Sequence, residues 1–196
     1  MTLHETSKAM IRRSYDKRYA TRWLVGTGID IGAGNDSIGN YRPMFPMMSA
    51  VRAWDLVDGD AMYMDGVADD SYDFVHSSHC LEHMRSPSRA LSNWIRICKP
   101  GGYLVIMVPD EDLYEQSVWP STFNTDHKWS FTIGKASSWS PQSINLIELL
   151  KTVVDRVAIQ KIELLDTNYL YGAERFDQTM TLVGESAIEI VLQKRS

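Results

Sequence analysis

One short segment constrains this chain more than any other: Gly28-Ile29-Asp30-Ile31-Gly32-Ala33-Gly34. The apolar run Thr27–Ile31 predicts a strand, and it passes straight into a glycine turn. Glycines at 32 and 34 let the backbone bend sharply and approach a ligand closely. Open α/β sheets bind nucleotides at such turns, at the C-terminal end of a central strand. A plain tight turn reads equally well from these residues alone. Asp30, inside the strand, must find partners if buried: a ligand's polar end, or the turn itself.

The rest of the chain alternates in type. Val51–Leu56, Tyr72–Ser77, Gly102–Pro109, Val157–Leu165 and Ala187–Gln193 are rich in β-branched and apolar residues and read as further strands. Pro87–Cys98 reads as a helix, with Leu91, Trp94, Ile95 and Cys98 on one face and a stop signal in Lys99-Pro100-Gly101-Gly102. Ser140-Pro141 predicts the start of another, running to about Val154. The expected fold class is therefore α/β, a mostly parallel sheet of about six strands with helices on both faces. One connection is too short. Only a few residues separate Asp55 from Asp60, whereas a parallel crossover needs about a dozen. The helix and edge strand after the second strand are expected to be reduced or absent, with no paired strand at 60–65.

The 196 residues suffice for one domain, and 44% apolar with 23% charged is the profile of a folded protein. No apolar run approaches membrane-spanning length and the N-terminus has no signal-peptide pattern, so no membrane is expected. Cys80 and Cys98 are the two cysteines. They form neither a disulfide framework nor a CxxC metal spacing; no metal is expected, and a reducing cytoplasm is the expected setting. Residues 1–22 carry six Lys and Arg against Glu5 and Asp16, a net of +4; the total is −5, so the remainder sums to −9. So acidic a body argues against a nucleic-acid partner. The basic segment reads as an N-terminal helical arm laid on the body by Ile11, Tyr15 and Tyr19. Its charges face either solvent or an anionic ligand.

Asp55 sharpens the site. It follows Gly34 by 21 residues at the end of the next strand, where a carboxylate can accept hydrogen bonds from both ribose hydroxyls. A nicotinamide dinucleotide satisfies the same geometry, but Ser37 stands where that fingerprint has its third glycine. Four further motifs follow in order: Gly59-Asp60-Ala61, Tyr72-Asp73-Phe74-Val75-His76, Leu81-Glu82-His83 and Arg96-Ile97-Cys98-Lys99-Pro100-Gly101-Gly102. With Asp30-Ile31-Gly32-Ala33-Gly34, they resemble the class I S-adenosylmethionine-dependent methyltransferases of small-molecule type, over about residues 25–110. The resemblance implies a Rossmann-like fold with S-adenosylmethionine as cofactor and S-adenosylhomocysteine as product. It implies that Asp55 binds the ribose with Leu56 beside it, Asp60 the adenine amine, and Ala61 and Met62 the ring face. Gly32, Ala33 and Gly34 would pass beneath the methionine part. Asp30 would hold its ammonium, with the backbone of His76 and Ser77 facing the same group. Arg13 or Arg18 would receive its carboxylate. Residues 23–196 then form the methyltransferase domain, with 110–139 an insertion that caps the acceptor.

Methyl transfer mainly requires that nucleophile and methyl be held at near-attack distance. A hydroxyl acceptor also benefits from a general base, for which histidine is well suited. His127, in the polar-aromatic segment 124–131, and His79, just after the cofactor strand, are the candidates. Glu82 and His83 read as holding the loop after their strand. Six aromatics from Tyr114 to Trp139 could stack on a ring or form the core of the cap. Asp110, Glu111, Asp112 and Glu115 are expected near the mouth of the pocket. The expected reaction is transfer of a methyl group to a small-molecule or sugar-like acceptor, most plausibly a hydroxyl. Two other readings stay open: a cofactor-binding sensor or partner subunit without catalysis, and an NAD(P)-dependent oxidoreductase. The oligomeric state is open as well.

Overall fold

The computed structural model describes residues 4–196. Its main sheet is built from β1 (Gly26–Ile31), β2 (Met48–Trp54), β3 (Tyr72–Ser78), β4 (Cys98–Pro109), β7 (Val157–Leu165) and β8 (Ala187–Lys194). The strand order is β2-β1-β3-β4-β8-β7. Strands β2, β1, β3 and β4 run parallel, while β8 lies antiparallel to both β4 and β7. A separate parallel pair, β5 (Ser130–Thr132) and β6 (Ser143–Asn145), lies in the segment between β4 and β7.

Strand β4 shows why the sheet is buried on both faces. Leu104, Ile106 and Val108 enter one core with Trp54, Leu81, Leu91 and Trp94. Val105 and Met107, pointing the other way, enter a second with Ala9, Met10, Tyr19 and Trp23. The two-residue alternation of side chains thus feeds both layers. Helix α2 (Pro87–Ile97) covers the first face; Ser86 caps it by accepting from the Arg89 amide, and Pro87 opens its first turn. Helix α1 (Glu5–Tyr15) and a wide turn at Tyr19–Trp23 cover the second.

One expectation holds and three change. Residues 56–71 hold turns with no strand, so β2 is the sheet edge and the shortened connection holds. The helix expected from Ser140 is much shorter: α3 spans Leu146–Lys151 and is capped by Asn145. Residues 143–145 pair with β5 instead, so their backbone groups are committed to a ladder before the helix begins. In α1 the expected contact face is turned away, with Ile11 58% and Tyr15 87% exposed while Arg13 is buried. Nor is there a boundary at residue 22, because Ala9 and Met10 share a core with Trp23, Leu24 and Phe74. No helix among the described residues is long and apolar enough to cross a membrane.

Candidate active site

The glycine turn is held from both sides by backbone geometry. Gly32 sits at φ +73°, and a Cβ there would lie 2.7 Å from the Cβ and Sγ of Cys80; only glycine fits. The amides of Gly32 and Ala33 donate to the Trp54 carbonyl, and the Gly34 amide donates to Asp55 Oδ2 at 3.1 Å. Asp55 Oδ1 accepts from the Leu56 amide. The turn and the end of β2 are thereby locked together.

Beside them opens a cavity of about 620 Å³, within the size range of small-molecule sites. Gly32, Asp55, Leu56, Asp60, Ala61 and Met62 line one part of it; His79, Cys80 and His83 line another. Asp60 is shared, since Oδ1 accepts from the Met62 amide and Oδ2 meets Arg85 at 3.2 Å. Leu56 is 90% exposed, an apolar side chain at the wall with nothing packed over it. Carboxylate acceptors at Asp55 and Asp60 beside the apolar Leu56, Ala61 and Met62 suit a nucleoside. An adenosyl group fits this donor and wall set.

Five other expected cofactor residues do not line the cavity. Ala33 is buried and Gly34 is exposed beyond the rim. Ser77 is buried and donates to the Ile31 carbonyl. Asp30 is 2% exposed, with both oxygens engaged: Oδ2 accepts from the Ile38 amide at 2.7 Å and Oδ1 meets His76 Nδ1 at 2.6 Å. His76 is itself sealed, its Nε2 3.0 Å from Arg13 Nη1. A guanidinium can only donate, so His76 accepts at Nε2 and carries its proton on Nδ1 toward Asp30. These side chains face the α1 layer because β1 alternates, and they support the turn from beneath. The expected cofactor-carboxylate donors are also spent elsewhere: Arg13 on Glu189 and Arg18 on Asp16.

On the acceptor side, His79 enters the cavity wall in a left-handed conformation, φ +53°. Its Nε2 is sealed from solvent without a hydrogen-bond partner. Burial, reinforced by His127, pushes its pKa down to about 3, so the ring is neutral. His127 stands behind the wall, Nδ1 2.8 Å from Glu115 Oε1 and its ring 5.1 Å from that of His83. The loop carrying it is pinned by the Lys128 amide donating to the Glu82 carbonyl and by Trp129 Nε1 donating to the Met84 carbonyl.

Glu82 and His83 hold the loop after β3, and their side chains stand out for another reason. Glu82 is fully buried, neither oxygen has a hydrogen-bond partner, and burial pushes its pKa up to about 8. An adjacent Glu-His pair shortly after the strand at 72–77 was the available signal; its convergence with His127 was not visible in the chain. The expected carboxylate mouth is absent. Asp110 caps the turn at 111–115, Glu111 meets Lys135 and Ser138, Asp112 meets Trp139, and Glu115 holds His127. Nor does the cap's aromatic cluster line the cavity: Phe131 is core, Trp129 packs against it, and Tyr114 stacks on Phe123 and His127.

A sequence model described as a methyltransferase domain matches residues 10–147. No curated protein matches the sequence. Among solved structures, the chain is similar to a SAM-dependent methyltransferase from Archaeoglobus fulgidus, at 18% identity and a TM-score of 0.57, covering 97% of this chain and 94% of that one. It is similar also to the plantazolicin methyltransferase BpumL in complex with SAH, at 13% identity and a TM-score of 0.59, covering 96% and 83%. At these identities the likeness is one of fold.

Proposed function

The chain belongs to the methyltransferase-domain family, whose methyl donor is S-adenosylmethionine, and on that premise we propose that it methylates a hydroxyl of a small-molecule or sugar-like acceptor. The observation that carries this reading is the single cavity shared by the nucleoside-type wall at Asp55–Met62 and the imidazoles of His79 and His83. When bound, S-adenosylmethionine supplies a methyl carbon made electrophilic by its sulfonium, so that oxygen–carbon bond formation and carbon–sulfur cleavage are one displacement that leaves S-adenosylhomocysteine.

The chain's own part is to bind, orient and take a proton. Asp55 would accept from the ribose hydroxyls and Asp60 from the adenine amine, with Leu56, Ala61 and Met62 offering the apolar wall for the ring. The glycine turn lets the backbone come close. A hydroxyl must lose its proton as its oxygen attacks, and His79, a neutral imidazole in the cavity wall, is the first candidate to take it. His127, backed by Glu115, is the second candidate base. The cap at 110–139 packs over the acceptor side through its own aromatic core. Cys80 and Cys98 are free thiols, in keeping with a reducing, cytoplasmic setting.

Calorimetric titration with S-adenosylhomocysteine, S-adenosylmethionine and NADH tests the cofactor assignment. Micromolar binding of both adenosyl compounds, lost in Asp55→Ala and absent for NADH, is expected. Turnover of methyl-labelled S-adenosylmethionine with a panel of hydroxylated small molecules and sugars then tests the acceptor. Label found on nitrogen or carbon would overturn the hydroxyl assignment. Binding without any turnover would favour a cofactor sensor.

A further inference from the structure

Glu82, His83 and His127 place three ligand atoms within 4.8 Å of one another. Glu82 Oε1 lies 3.8 Å from His83 Nε2 and 3.9 Å from His127 Nε2, too far for hydrogen bonds. Each ring is oriented by its other nitrogen. His83 Nδ1 sits 2.8 Å from Asp126 Oδ2, and His127 Nδ1 sits 2.8 Å from Glu115 Oε1. With those carboxylate oxygens as acceptors, each Nδ1 carries the ring proton and each Nε2 presents a lone pair. The Glu82 carboxyl group and the two Nε2 atoms therefore converge without a hydrogen bond among them.

A buried carboxyl group with neither oxygen hydrogen-bonded is costly, and a cation among these three atoms would hold it as a carboxylate. Imidazoles held by carboxylates through the far nitrogen are the usual outer support of metal-binding histidines. We propose that Glu82, His83 and His127 bind a divalent transition-metal ion, leaving coordination positions open toward the cavity that His83 lines. Two nitrogens and one oxygen suit zinc, iron, cobalt or manganese better than calcium or magnesium. Around an ion with 2.0–2.1 Å bonds the ligands stand roughly 3.3 Å apart, so a small inward shift of side chains closes the trio.

The ion's role rests on the proposed methyl transfer. It would hold an oxygen of the acceptor and lower the cost of removing its proton. That restricts the acceptor to a hydroxyl, or a pair of neighbouring oxygens, able to ligate a metal. It also assigns His127 to the ion through Nε2, leaving His79 as the base. A weakly basic ring there suffices once the hydroxyl has been made more acidic.

The test is titration of chelator-treated full-length protein with Co²⁺ alone, followed by visible d–d absorption, with Zn²⁺ as competitor. One equivalent of Co²⁺ should bind and be displaced by one of Zn²⁺. Glu82→Gln and His127→Gln should weaken binding by about 10–100-fold or more. Half-buried His83→Ala gives the same readout with less risk to the fold, and circular dichroism verifies each variant. No stoichiometric cobalt spectrum, or a spectrum unchanged in folded His83→Ala, would overturn the site. S-adenosylhomocysteine binding, measured separately without metal, reports on the cofactor reading, so the two can fail independently.

Discussion

Arg13 Nη2 and Glu189 Oε2 meet at 2.8 Å, both side chains fully buried, across 176 residues of chain. The same carboxylate receives Arg12 at 2.8 Å, Lys161 at 3.0 Å and the Tyr19 hydroxyl. Two of the six positive charges of the N-terminal segment, Arg12 and Arg13, are therefore spent on an acidic residue of β8. Arg13 also reaches His76, which holds Asp30, which receives the amide of Ile38. Helix α1 is thus linked by hydrogen bonds to the underside of the glycine turn.

Removing one partner of this pair should be costly. Glu189→Gln leaves Arg13 buried without a counter-charge, a loss of about 3–5 kcal/mol. Urea denaturation should show it, and replacing Arg13 and Glu189 together by methionine should recover part of the loss. An unchanged urea midpoint in Glu189→Gln would remove the pair from the list of what holds α1 in place.

The pH dependence has a definite sign. Burial acts to raise the Glu189 pKa, but Arg13, Arg12 and Lys161 outweigh it and hold the group well below the usual carboxylate range. A carboxylate depressed on folding contributes stability above its unfolded value, near 4.5, and loses it as pH falls toward the folded value. Stability of the wild type should drop on acidification below about pH 4.5, by up to about 1.4 kcal/mol per pH unit from this group. Urea midpoints measured from pH 6 to pH 3 should show a shallower acid limb in Glu189→Gln.

The two glycines of the turn should respond differently. At Gly32 an added methyl meets Cys80 at 2.7 Å, whereas at Gly34 nothing lies within 4 Å of a Cβ, although φ is +51°. Gly32→Ala should cost about 2–3 kcal/mol through overpacking and backbone strain and weaken S-adenosylhomocysteine binding at least tenfold. Gly34→Ala should cost about 1 kcal/mol. Paired denaturation and calorimetry decide; equal losses would mean that Cys80 yields easily.

Asp30 belongs with stability more than with direct ligand contact. Its carboxylate is saturated by His76 and the Ile38 amide on the face away from the cavity. Asp30→Ala should destabilise by about 1–3 kcal/mol, leaving a buried imidazole and amide unpaired. Affinity for S-adenosylhomocysteine, measured where the variant is folded, should change less than threefold. A large loss of affinity at full stability would return Asp30 to the binding site.

The local elements were readable because local chemistry decides them. Val157–Leu165 forms a strand over its predicted span, and Pro87 opens α2 where the sequence places it. The short link after Asp55 forced an unpaired edge, since chain length alone forbids a crossover there. Asp55 and the residues from Asp60 to Met62, named by the family resemblance, line one cavity because they sit close in sequence to the end of β2.

Only the tertiary structure decided which way side chains of equal local promise would face. Strand alternation sent Asp30 and His76 away from the cavity, and an ion pair with Glu189 turned α1 so that Arg13, not Ile11 or Tyr15, is buried. Glu82 and His127 show the same limit. In the sequence Glu82 reads as holding its loop and His127 as a candidate base, and their meeting at a buried, unpartnered carboxyl group exists only once the segment 124–131 folds back onto Glu82. Charge and lone-pair direction act through space, so no pattern along the chain announces them.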